Sequence, residues 1–334
     1  GAGAPVIGVV LGGPIVEAFG WRTIFLAQFP ITLLALGLAW RLVPETPRKR
    51  EGAFDVAGAA LVALSVTPLL FALSEGPRMG WTSPLVLACL LISPIAVAGF
   101  VQVERRAPSP RLPLRYLRRR GFTFAILTQS TLNGAYMGSF ILTPLLLQNV
   151  LGFSETRTGL VSIARPLAFS IAGTMAGAVA VRLGARRAAT VGAMAVVGAM
   201  AWMATFGPGT LTVAIIGALA LAGVGMGIAM PPLGASVAVS VDEEDFGIAG
   251  AAQQMMVQVG VVFGIQLMQT VQQSRIDAVG QAASYHWGYL TGLVLALIGV
   301  VTATRIASSV PKARLTPTDP AEVALGTEPA GIAT

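Results

Sequence analysis

The residues best suited to hold a small molecule are Gln129, Asn133, Tyr136 and Phe140. They are spaced 4, 3 and 4 positions apart, which puts them on one face of an α-helix. Two amides, a phenol and a ring can hydrogen-bond and stack on a bound compound; they can equally bond to a neighbouring helix. Either use demands protein or water on that side, because hydrocarbon offers polar groups no partner. A second amide series runs through Gln253, Gln254, Gln258, Gln266 and Gln269. Gln254, Gln258 and Gln269 fall near one face, and Gln254 and Gln258 join the candidate cavity residues. Arg165 is the one basic residue inside an apolar stretch and away from its ends. It is expected to snorkel toward the nearer membrane surface; the alternative is that it lines the outer end of a cavity and tunes charge preference.

Bond-making chemistry has no comparable foothold. The chain holds one histidine, His286, and one cysteine, Cys89. No Cys/His/carboxylate cluster has metal-ligand spacing, so neither a metal nor a cofactor is expected. A membrane-embedded transferase would also lack a carboxylate beside His286, which reads instead as an interfacial residue next to Trp287 and Tyr289. The chain is therefore not expected to be an enzyme.

Helices in lipid must position these groups. The 334 residues are 54% hydrophobic and only 11% charged, with a mean hydropathy of +0.75. Soluble domains carry about 25% charged residues, so most of this surface must face lipid. Apolar runs of spanning length recur at Trp21–Val43, Phe54–Leu73, Pro84–Val103, Phe122–Leu147, Gly159–Val181, Ala188–Phe206, Leu211–Leu233, Phe246–Thr270 and Trp287–Ala307. The expected fold class is all-α, a polytopic transmembrane bundle of nine full spans. A partial span, Gly1–Val16, precedes them, and its start within apolar sequence reads as a truncation. From Pro311 the chain is rich in Pro, Thr, Ala and Glu and is expected to be a disordered tail. Small residues at GxxxG-type spacing, Gly8 and Gly12, Gly173 and Gly177, Gly260 and Gly264, are expected to pack helices closely.

Charge orients the bundle. Seventeen of the 22 Lys and Arg fall on one set of alternate loops and in the tail, and four (Arg22, Arg78, Arg157, Arg275) on the other. The positive-inside rule makes the first side cytoplasmic, together with the C-terminus, of a multi-pass cell-membrane protein. Basic residues spread along membrane borders do not form a nucleic-acid face. No carboxylate sits at mid-span.

Several strings resemble a known family. Gly3-Ala4-Pro5-Val6-Ile7-Gly8, Leu11-Gly12-Gly13 and Gly20-Trp21-Arg22-Thr23-Ile24-Phe25 resemble the antiporter motif of drug-exporting major facilitator proteins and the helix opening after it, with Ala4 and Val9 in place of two of its glycines. Phe54-Asp55-Val56-Ala57-Gly58, Leu73-Ser74-Glu75-Gly76 and Val103-Glu104-Arg105-Arg106 look like the two extra central helices of the fourteen-span, EmrB/QacA-like drug:proton antiporters. Leu151-Gly152-Phe153-Ser154, the cytoplasmic string at Arg182, Gly184 and Arg186, and Gly223 through Gly234 are similar to loop and helix motifs of the same group.

The resemblance covers residues 1–310 and carries several implications. Residues 1–43 would end an N-terminal helical half. Residues 44–120 would hold the central pair and a basic loop, 121–310 a six-helix C-terminal half, and 311–334 the tail. Four earlier spans would be absent, and with them the carboxylate that moves protons. The implied activity is proton-coupled efflux of small amphipathic or hydrophobic drugs, with the lipid bilayer, a small-molecule substrate and protons as partners. A carrier for one metabolite or ion, or a non-transporting membrane sensor, would be the alternatives. Nothing in the sequence speaks to oligomeric state.

Overall fold

The computed structural model describes residues 15–16, 18–42, 56–106, 116–242 and 245–306. Pro5, Gly8, Gly12 and Gly13, the loop at 44–55 and the tail from Pro311 lie outside the described residues. Every regular element described is helical: α1 (Arg22–Leu42), α2 (Val56–Met79), α3 (Pro84–Arg106), a 3-10 turn (Tyr116–Arg118), α4 (Arg120–Asn149), α5 (Glu155–Ser162), α6 (Ala164–Leu183), α7 (Ala185–Met203), α8 (Thr212–Val239), α9 (Phe246–Val279) and α10 (Gln281–Thr304).

Each of the nine expected spans corresponds to a helix, with one interruption. The stretch expected as Gly159–Val181 begins earlier, at Glu155, where Ser154 caps it by accepting from the Arg157 amide at 3.2 Å. It is divided into α5 and α6 at Ile163, whose φ of −58° and ψ of −31° stay helical. Pro166 is the cause: it lacks the N–H that would bond the Ser162 carbonyl. The ladder resumes at once, with the Leu167 amide 3.1 Å from the Ile163 carbonyl.

Among the described residues, six stretches are long and apolar enough to cross a membrane by length and composition: Arg22–Leu42, Pro84–Val103, Glu155–Leu183, Thr212–Val239, Ala249–Val279 and Gln281–Thr304. The expectation of nine differs by α2, α4 and α7. In α4 the reason is visible. Thr128, Gln129, Ser130, Ser139 and Thr143 lower its hydropathy, yet all are buried in the bundle rather than offered to lipid.

Helices α4 and α6–α10 pack into one body. In lipid, helix association relies on close van der Waals contact more than on burial from water, and glycine supplies that contact here. A Cβ built on Gly134 would meet the Gly260 carbonyl at 2.7 Å, and one on Gly264 would lie against the Gly134 backbone, so α4 and α9 touch main chain to main chain. Gly192 and Gly225 do the same for α7 and α8. Two junctions are single residues, Gly184 between α6 and α7 and Gly280 between α9 and α10, with φ of +81° and +80°. That region of backbone space suits glycine.

The α2–α3 hairpin docks on this body through α9, where the Thr270 hydroxyl donates to the Leu73 carbonyl at 2.6 Å. Ser93 donates to the Ser65 carbonyl within the hairpin. Helix α1 has no buried residue and meets no other helix among the described residues.

The ends of the six-helix body differ in charge. Arg118, Arg119, Arg120, Arg182, Arg186, Arg187 and Arg305 gather at one end. There the Arg119 guanidinium donates to the Ser240 carbonyl at 2.8 Å and pairs with Asp242 at 3.3 Å. The buried Tyr116 hydroxyl lies 2.9 Å and 2.5 Å from carboxylate oxygens of Asp242 and Asp245. The start of α4 is thereby tied to the α8–α9 loop.

Candidate functional site

Helices α4, α8 and α9 line an open cavity of about 430 Å³. Gln129, Asn133 and Met137 come from α4, Met230 from α8, and Gln253, Gln254, Val257, Gln258 and Val261 from α9. The glycine contact at Gly134, Gly260 and Gly264 brings α4 and α9 together one turn away.

The amides are organised. Gln253 Nε2 donates to Gln129 Oε1 at 2.8 Å, and Asn133 Nδ2 donates to the Gln129 carbonyl at 2.8 Å. Asn133 Nδ2 also lies 3.5 Å from Met230 Sδ. Ser130, on the neighbouring face, donates to the Met256 carbonyl at 2.9 Å. Gln129 is buried, whereas Gln254 and Gln258 are exposed on the cavity wall without a hydrogen-bond partner among the described residues. A held amide pair beside free amides, with pliable thioethers of Met137 and Met230, forms a surface that can donate and accept while adapting its shape. Among the described residues, no carboxylate or cation lines it.

The predicted stripe divides between two environments. Gln129 and Asn133 line the cavity with Met137, one turn on. Tyr136 and Phe140 turn toward α6: Tyr136 is 6% exposed and packs against Phe169 with ring centroids 6.4 Å apart. Gln253, Val257 and Val261 complete the wall. Their spacing of 4 and 4 is a helix-face signal in the sequence, hidden by the more polar series beside it.

Arg165 corrects the snorkelling expectation. Its side chain is 1% exposed and points into the bundle, where its Nη1 donates to the Tyr136 carbonyl at 3.2 Å. Nη2 lies 3.8 Å from Met203 Sδ, and the guanidinium carbon sits 5.2 Å from the Tyr136 ring centre and 5.6 Å from that of Phe140. The aromatic rings and the packed α4 and α7 close the route to the surface. Tyr289 likewise is interior rather than interfacial, fully buried with its hydroxyl 3.0 Å from Thr143 Oγ1. His286 remains exposed, with Nδ1 2.7 Å from the Ala204 carbonyl.

The glycine pairs also differ from one another. Gly260 and Gly264 sit in the α4 contact just described. A Cβ on Gly173 or Gly177 meets nothing within 4 Å among the described residues. In the α6–α8 pair the close approach comes from α8, where a Cβ on Gly227 would meet the Phe169 carbonyl at 2.6 Å. Arg182 is exposed at the end of α6. Gly184 and Arg186 line a second recess of about 710 Å³ with Leu183, Ala185, Arg187, Thr190, Val191 and Thr304.

Comparison with known proteins bears on this architecture. Over 271 residues the chain is 30% identical to the "Multidrug resistance protein Stp" of Mycobacterium tuberculosis, covering 81% of this chain and 50% of that one. It is 26% identical over 273 residues to the "Multidrug transporter protein MdtP" of Bacillus subtilis, with coverages of 81% and 50%. Against the "Methylenomycin A resistance protein" of Streptomyces coelicolor it is 28% identical over 271 residues, with coverages of 81% and 57%. The chain thus spans about half the length of the curated relatives it matches. The profile of the Major Facilitator Superfamily matches residues 1–265 and 134–329. Those two overlapping matches leave no part of the helical bundle outside the family's pattern: the chain is a multi-pass membrane protein and belongs to the Major Facilitator Superfamily.

Proposed function

We propose that these residues form the C-terminal half and central helix pair of an exporter of small amphipathic or hydrophobic compounds. The observation that carries this reading is the amide- and methionine-lined cavity between α4, α8 and α9, in a chain whose relatives bear multidrug resistance names. An adaptable wall without fixed charge suits varied, mostly uncharged ligands. Transport proceeds by alternating access of two helical halves, with protons as the driving ion and the substrate chemically unchanged. Gln129, Asn133, Gln254 and Gln258 contact substrate. Residues 1–43 close the N-terminal half, 44–120 hold the central pair and basic loop, 121–310 form the six-helix half and 311–334 the tail. The arginine-rich end of the body supports a cytoplasmic placement for it and for the C-terminus in the cell membrane.

The test is export of a compound panel by the intact gene product in an efflux-deficient bacterial host, with membrane protein level measured in parallel. Asn133→Ala and Gln254→Ala are expected to change which compounds are exported while leaving protein level near that of the parent. Tyr136→Ala, which removes a buried ring beside Arg165, is expected to lower protein level. An unchanged export profile in both cavity variants refutes the substrate role.

A further inference from the structure

Arg165 lies ten residues beyond Glu155, about 15 Å along the helix at 1.5 Å per residue. It holds a positive charge inside the bundle with no carboxylate in ion-pair reach among the described residues. Of its five N–H donors, one reaches an oxygen and one a thioether, and Nε has no partner. Two further buried polar atoms have none: the hydroxyls of Thr158 and Ser162. Positions 158, 162 and 165 are spaced 4 and 3 apart, so all three unsatisfied groups share one face of a helix that runs on through Ile163. At the same place Pro166 interrupts the backbone ladder.

Buried polar groups in membranes are nearly always satisfied, and an intramembrane charge marks a site whose partner should be named. Water could serve the hydroxyls, but it leaves the net charge uncompensated in a low-dielectric interior. The α6 backbone carbonyl of Arg165 packs against Gly223 of α8, so the side chain is directed away from that helix, between Tyr136 and Phe140 of α4 and Met203 of α7. These helices enclose the guanidinium closely, so any guest must be small, and the Met203 thioether is the side chain able to yield to it.

We propose that Arg165, Ser162 and Thr158 form an internal anion site that takes one small monovalent anion, a halide or a single carboxylate group. The guanidinium Nε supplies charge and one donor, and the two hydroxyls rotate to donate from the outer end of the helix. This site is separate from the amide-lined cavity, and its test involves no transport.

The experiment is thermal unfolding of the purified protein in chloride, bromide, formate or gluconate, each as the sodium salt at one ionic strength. Chloride, bromide and formate are expected to raise Tm along a saturating curve, with bulky gluconate as the baseline. A response to halides and formate alike assigns the site to free anions; a response to formate alone assigns it to carboxylate groups; both support the site. Arg165→Gln is expected to abolish the response. Ser162→Ala, which removes only an unpartnered hydroxyl, should fold normally and weaken the apparent affinity about tenfold, the worth of one hydrogen bond to a charged group. Tm equal in all four salts overturns the proposal, as does a Ser162→Ala response identical to that of the parent.

Discussion

Replacing Gly264 by alanine probes the contact on which the cavity depends. The new Cβ would fall on the Gly134 backbone, closer than real Cβ atoms approach any heavy atom. Relief requires α4 and α9 to separate by about 1 Å, an overpacking that costs about 1–3 kcal/mol. Separation also strains the Gln253–Gln129 and Ser130–Met256 hydrogen bonds, worth about 0.6 kcal/mol each in membranes. Alanine's better helix propensity returns about 0.5–1 kcal/mol. The net loss is about 1–4 kcal/mol, or roughly 5–10 °C in Tm near the middle of that range for a body of this size. Intrinsic-fluorescence melting of the purified protein in detergent measures it. Gly177→Ala is the control, because its Cβ meets nothing within 4 Å, and it should melt at or slightly above the parent. A Gly264→Ala protein as stable as the control would refute the main-chain contact between α4 and α9.

The other expectations concern the charged end. Gly184→Ala forces an L-residue to φ of +81° and ψ of 151° and should cost about 1–3 kcal/mol, seen as a lower Tm; no change would show that the α6–α7 junction relaxes freely. Tyr116→Phe removes a hydroxyl facing two carboxylates and should cost about 1.5–3 kcal/mol. Arg119→Gln, at a half-exposed ion pair, should cost about 0.2–1 kcal/mol. The reverse order in melting would place the anchor in the arginine.

Much of the architecture could be read directly from the amino-acid order, because hydropathy reports which segments are long enough to span and loop charge reports their alternation. Helix α4 shows where this stops. Its polar face was visible, but spacing defines a face only to within a wide arc, and the neighbours decide where along that arc the cavity ends. Here α9 faces Gln129 and Asn133, while α6 faces Tyr136 and Phe140. The same holds for the glycines. Gly173–Gly177 and Gly223–Gly227 have identical spacing, and only the packed pair of helices reveals that the α8 glycines make the approach. Arg165 was singled out by charge alone. Snorkelling requires an open path, and whether Tyr136, Phe140 and Met203 close it is a property of three helices distant in sequence.

The one-residue link at Gly280 bears on how the protein sits in the membrane. Helix α9 carries the cavity glutamines and has a hydropathy of only 1.2 in its best window, against 1.7 for α10. A single residue reaches about 3.5 Å, so the facing ends of α9 and α10 stay side by side, and the two helices pack along each other. Wherever α9 meets lipid it does so with the more apolar α10 beside it, which takes up part of its surface. Lengthening the link would loosen that tether and leave more of α9 dependent on its own modest hydropathy.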